Sequence, residues 1–278
     1  MVKLNPVFKL YKRNVNITKI RKDQRSEEID VVLIESPIDI IVNSEPLVNI
    51  ICLNKDLKEL AIGFLYSIGI INSIEDIKTI KIDNMEERVY IDLVETINFS
   101  SKILDVNPVS RVIDTTCGIP SPWRNLIKEK LKETKATFDL KKHETISQEV
   151  IFSTIVKMQQ ETKLFRETGG CHGAAIFDMK GNLLTVKEDI GRHNAIDKVI
   201  GYLLLKGESF DNKILTSTGR LTGDSVLKAV RAQIPIVASL SAAIESGIRL
   251  AFSYGITLVG FVRGGTMNIY THPKRIKI

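Results

Sequence analysis

Residues 213–262 run KILTSTGRLTGDSVLKAVRAQIPIVASLSAAIESGIRLAFSYGITLVGFV, and the rhythm of this stretch decides the fold. Three apolar runs, Lys213–Ser217, Ile234–Ser239 and Thr257–Val262, have strand character, and helical stretches separate them. Strand, helix and strand in that alternation imply parallel strands joined by crossover helices in a layered α/β domain.

The same grammar extends toward the N-terminus. Ala174–Phe177 and Leu183–Val186 form a hairpin pattern around Lys180-Gly181-Asn182. Ala195, Ile196, Val199, Ile200, Leu203 and Leu204 make a helical stripe that Gly207 can end, and Ser147–Phe165 predicts another helix. Further back, Ile77–Ile82 and Arg88–Val94 predict two strands joined at Asp83-Asn84. Leu57, Leu60, Ala61, Phe64, Leu65 and Ile68 fall on one helical face, with Gly69 as the C-terminal cap. Asp30–Ile34 and Ile38–Asn43 predict short strands broken by Ser36-Pro37, after a polar, basic lead-in over residues 1–28. The predicted organisation is a small α+β domain over residues 1–108 and a layered α/β domain over 109–278.

Composition narrows the functional classes. With 278 residues, 44% hydrophobic and 26% charged, the chain is globular in type rather than disordered. It has no apolar run of membrane-spanning length and no secretory leader pattern at its start, so no membrane role is expected. Three widely spaced cysteines, Cys52, Cys117 and Cys171, argue against a disulfide framework and for a reducing cytoplasm. The formal charge of +6 suits an anionic partner or plain solubility. No Lys/Arg run is interleaved with aromatics, which disfavours nucleic acid.

Three groups of residues carry chemistry. In Asp114-Thr-Thr-Cys117-Gly-Ile-Pro-Ser-Pro-Trp123, Ser121 and Pro122 suit a helix start, placing Cys117 in the loop ahead of it. A thiolate there gains from the helix N-terminus, with Arg111 or Arg124 as further support; the alternative is an inert buried thiol. The second group is Gly169, Gly170, Cys171 and His172 in one glycine-rich turn with Arg192 and His193 in another, Asp189 being placed to orient His193. Such turns let backbone N–H groups converge on an anion. The third comprises Arg220, in Ser217-Thr-Gly-Arg220, and Phe261, Val262, Arg263, Gly264, Gly265 and Thr266, all at strand ends where open α/β sheets bind ligands. No complete dinucleotide or P-loop signature is present. A zinc deaminase site is disfavoured, because His172 is followed by Gly173-Ala174 rather than the needed glutamate, and no Cys-x-x-Cys exists.

Together, the helix DLKELAIGFLYSIGII from Asp56, TTCGIP, TGGCHGAAIFD, EDIGRHNAIDKVIG, STGR and LVGFVRGGTMNIYTHPKRI resemble the FdhD/NarQ family of formate dehydrogenase accessory sulfurtransferases. The resemblance runs from about residue 29 to the C-terminus. It implies a cytoplasmic homodimer whose larger domain resembles the cytidine-deaminase fold without a metal. It further implies a sulfurtransferase in which a cysteine desulfurase loads persulfide sulfur onto Cys117. That sulfur then passes to bis-molybdopterin guanine dinucleotide, bound through Phe261–Thr266, before the cofactor enters formate dehydrogenase. Many family members carry Cys-x-x-Cys in the loop, whereas this chain has Pro120 at the second position. A relay through one persulfide stays open, as does a chaperone that shelters the cofactor without covalent chemistry.

Overall fold

The computed structural model describes residues 11–97, 112–113 and 145–278. Its centre is a six-stranded sheet built from β9 (His172–Asp178), β10 (Leu183–Asp189), β11 (Lys213–Ser217), β12 (Ile236–Ser239), β13 (Thr257–Arg263) and β14 (Thr266–Ile269). The spatial order is β10-β9-β11-β12-β13-β14. Strands β11, β12 and β13 are parallel, as the alternation predicts, and β9 runs antiparallel to both β10 and β11. It follows that β10 points the same way as the parallel trio; a separate short parallel pair joins β8 (Ile146–Ser147) to β15 (Ile276–Lys277).

Both faces of this sheet are covered, which is why its strands are apolar runs rather than alternating ones. One face carries Ala175, Phe177, Ile214, Ile236 and Val259 against Ile151, Ile155 and Met158 of helix α2 (Gln148–Glu161). The other carries Ala174, Ile176, Leu215, Val237 and Leu258 against helices α4 (Arg192–Leu205), α5 (Gly223–Arg231) and α6 (Glu245–Tyr254).

That second core does not stop at the helices. It continues through α1 (Leu57–Ser67) into a five-stranded sheet of order β5-β6-β3-β4-β7, comprising β3 (Ser36–Val42), β4 (Glu45–Cys52), β5 (Ile77–Asp83), β6 (Arg88–Leu93) and β7 (Val112–Ile113). Helices α1 and α4 cross at Gly63 and Gly201. A Cβ on Gly63 would overlap the Asp197 carbonyl, and one on Gly201 would overlap that of Glu59. The missing side chains are what let the two backbones approach so closely.

Several sequence expectations need correction. The predicted polar lead-in over residues 1–28 contains β1 (Lys12–Arg21) and the first half of β2 (Gln24–Leu33), a long antiparallel hairpin. Its faces are largely exposed, so no apolar alternation announces it; ion pairs of Glu28 with Lys19 and Arg21 lie across the strands instead. Ser36-Pro37 does not break a strand but opens β3. Pro37 pairs only with Ile51, while the β6 side of β3 starts at Asp39, so no partner needs the missing N–H. The predicted helix Ser147–Phe165 divides at Thr162 (φ −77°, ψ 79°) into α2 and α3 (Lys163–Thr168). Apart from these corrections, Gly264-Gly265 forms the hairpin turn joining β13 to β14, both residues at positive φ (58° and 75°).

Candidate functional site

The topology gathers most of the sequence candidates at one end of the six-stranded sheet. Asp189 ends β10 opposite His172, which opens antiparallel β9, and Thr218-Gly219-Arg220 follows β11. Phe261–Arg263 closes β13, two strands along from β11, which is roughly 10 Å at ordinary strand spacing. All of these lie at the carboxyl ends of the parallel strands, the place where open α/β sheets bind ligands.

Helix α4 begins here because Asp189 ties down the preceding turn. Its carboxylate accepts from Gly191 N and Asn194 Nδ2, each at 2.9 Å, and from Leu53 N at 3.1 Å. Lys198 Nζ sits 2.6 Å from the same carboxylate, and neither side chain is exposed. Asp189 therefore holds Lys198 and the α4 start rather than orienting His193, as the sequence had suggested. A second buried pair, Lys228 with Asp197 at 2.7 Å, is joined by Ser67 Oγ at 2.7 Å. Much of the GRHNAIDK segment thus serves to fasten α4 to β4 and α1.

What remains in the segment faces the sheet end. His193 is buried, its Nδ1 lies 3.5 Å from Ser225 Oγ, and its Nε2 has no partner. Burial, followed by the charges of Lys228, Arg192 and His172, holds its pKa well below the ordinary imidazole value. Arg192 packs beside Gly219, and its Nε is buried without a partner. Burial and the charge of Arg220 lower its proton affinity, while Asp224 opposes them. His172 is half-buried, with Nδ1 3.2 Å from Thr218 Oγ1, and burial, then Arg192 and Arg220, depress its pKa. Arg220 itself is exposed. The result is a basic cluster with neutral imidazoles, suited to a multiply charged anion.

Lys228 and Ser225 belong to this electrostatic environment but escape sequence reading. Lys228 is flanked by the buried Leu227 and Ala229, and only its burial as a charged residue marks it out. The other candidates are placed as follows. Gly169 caps α3 in the left-handed region, at φ 66°, and Gly170 is exposed beside it. Val262 is a core side chain, whereas Arg263, Gly264, Gly265 and Thr266 are exposed at the β13–β14 turn. Phe261, at a register shift in β13, takes an unusual positive φ of 52° with its ring 5.4 Å from the Arg263 guanidinium.

Cys52 is fully buried. Cys171 is buried too, its Sγ 3.8 Å from Glu188 Oε1, and burial with the nearby carboxylates pushes its thiol up to about 12. Glu188 also accepts from Leu164 N and Phe165 N, at 3.1 and 2.8 Å, so Cys171 belongs to the packing around the α3 start. Cys117, together with Arg111 and Arg124, lies outside the described residues. Among the described residues, no group of three or more His, Cys, Asp or Glu is arranged to hold a metal ion.

Helices on both faces of a mixed sheet, with basic and imidazole groups collected at its carboxyl end, define a layered α/β protein. The chain belongs to the FdhD/NarQ family, whose model matches residues 33–277. It is 38% identical to a protein named sulfur carrier protein FdhD from Bacillus pumilus, over 98% of this chain and 99% of that one. A protein of the same name from Sulfolobus acidocaldarius is also 38% identical, over 96% of this chain and 99% of its own. A crystal structure of a candidate formate dehydrogenase accessory protein from Desulfotalea psychrophila superposes with a TM-score of 0.73 at 28% identity, covering 96% of this chain and 100% of that one.

Proposed function

We propose that this chain is a sulfurtransferase that carries sulfur as a persulfide on Cys117 and delivers it to a molybdenum cofactor destined for formate dehydrogenase. The single observation that carries this reading is the near-full-length match to proteins named sulfur carriers. In the loading step, the Cys117 thiolate attacks the outer sulfur of a cysteine desulfurase persulfide. The donor's S–S bond breaks, its thiolate leaves, and the new S–S bond forms on Cys117. In the delivery step the acceptor supplies the electron pair that attacks the outer sulfur; the S–S bond to Cys117 breaks, the Cys117 thiolate leaves, and the acceptor is oxidised by two electrons as its bond to sulfur forms.

The acceptor we assign to this chain is bis-molybdopterin guanine dinucleotide, bound as substrate. Its pyrophosphates need cationic and hydrogen-bond donors; Arg192 and Arg220 collect at the sheet end beside the neutral imidazole of His172, with Arg263 exposed at the β13–β14 turn. Burial raises the Cys52 and Cys171 thiols, which disfavours either as a thiolate at neutral pH and supports Cys117 as the carrier. The working form is a cytoplasmic homodimer, and its partners are the desulfurase and formate dehydrogenase. Among the described residues no helix is long and apolar enough to cross a membrane.

A second reading, a cofactor chaperone without covalent chemistry, draws on Pro120 standing where many relatives have a second cysteine. Activation of formate dehydrogenase separates the two. Cys117→Ala abolishes activation if the thiol is the carrier. Full activation by that variant, with loss in Arg263→Ala, establishes the chaperone.

A further inference from the structure

We infer that Thr218 fixes the tautomer of His172, so that a neutral imidazole presents its Nε2–H to a phosphate oxygen of the bound ligand. The choice of ligand rests on the function proposed above; the tautomer does not. Thr218 Oγ1 accepts from Gly173 N at 3.0 Å and lies 3.2 Å from His172 Nδ1. A hydroxyl has one proton to give and two lone pairs, one of which Gly173 occupies; among the described residues His172 Nδ1 is the acceptor within reach of that proton, and donation to it satisfies the hydroxyl. The ring then accepts at Nδ1 and must carry its proton at Nε2.

Nε2 of His172 makes no hydrogen bond to a described residue and, unlike Nε2 of His193, is not sealed off. The charged groups around the ring are Arg192 at the start of α4, Arg220 after β11 and Asp189 at the end of β10. Asp189 is already committed to Lys198, so the surroundings repel a proton. His172 therefore stays neutral, and a neutral ring donates only from the nitrogen that holds the proton. Without Thr218 the ring is free to place that proton on Nδ1 and offer the ligand a lone pair. Thr218 is thus a positioning residue.

The test combines imidazole ¹⁵N NMR of the ligand-free protein with binding of guanosine diphosphate. Wild type should show a neutral His172 protonated at Nε2, and Thr218→Val should shift the population toward Nδ1–H. Thr218→Val should bind guanosine diphosphate about tenfold more weakly, the worth of one hydrogen bond to a charged oxygen, and Thr218→Ser should restore it. In a His172→Ala background Thr218→Val should add no further loss, which separates positioning from a general folding defect. A wild-type ring protonated at Nδ1, or additive losses in the two variants, overturns the inference. Absence of any guanosine diphosphate binding by wild type, with the tautomer intact, instead overturns the cofactor reading and the ligand assigned to His172.

Discussion

Lys198 Nζ lies 2.6 Å from Asp189 Oδ2 with neither side chain exposed, and the pair joins the end of β4 to the start of α4. Leu53 donates its N–H to the carboxylate and offers its carbonyl to the ammonium at 3.4 Å. Removing one member strands a buried charge. Lys198→Met is expected to destabilise the fold by about 3–5 kcal/mol, read from urea unfolding. A loss below about 1 kcal/mol would mean that the pair is solvated in solution.

The basic sheet end makes stability fall in mild acid. His172 and His193 both have folded pKa values below the ordinary 6.5. Below that pH the unfolded chain binds protons that the folded chain refuses. Their contribution is therefore complete above about pH 6.5 and declines as pH drops through the unfolded value. The unfolding midpoint should decrease on acidification from about pH 7.5 to 5.5, and His193→Gln should make that slope shallower. An identical slope in the variant would remove His193 from the explanation.

Thiol reactivity should single out one cysteine. Burial raises the Cys52 and Cys171 thiols, so both stay protonated and shielded in the native protein. A thiol-specific reagent should label one site quickly in native wild type and none quickly in Cys117→Ser, while all three cysteines react after denaturation. Rapid labelling of Cys171 in the native state would make it a second candidate sulfur-handling group.

The sequence discloses the layered α/β core because strands covered on both faces are continuous apolar runs. Phe177, Ile214 and Val259 mark them plainly. Hairpin β1–β2 is invisible for the opposite reason: Ile20 and Ile29 are largely exposed, and neither face has a core to pattern it. At the site, glycines and strand ends point to His172, Arg192 and Arg220. The partner of Asp189 is not legible that way, because Lys198 and His193 both stand within the first two turns of α4 and only packing decides between them. The role of Gly264-Gly265 is likewise ambiguous in sequence, since close ligand approach and a tight turn both call for glycine; the positive φ angles identify the turn.

The α1–α4 crossing makes a further demand. Gly63→Ala inserts a methyl where the Asp197 carbonyl already stands. The helices must part, at an expected cost of about 1–3 kcal/mol or more. Thermal unfolding of Gly63→Ala and Gly201→Ala measures this, and a wild-type midpoint in both would show that the helices sit farther apart than described.

Intact-mass spectrometry after incubation with a cysteine desulfurase and cysteine tests the sulfur-carrier function most directly. Wild type is expected to gain one sulfur atom, removable by a thiol reductant, and Cys117→Ser to gain none. A wild-type mass without added sulfur, or the same gain in Cys117→Ser, would contradict a persulfide relay through that residue.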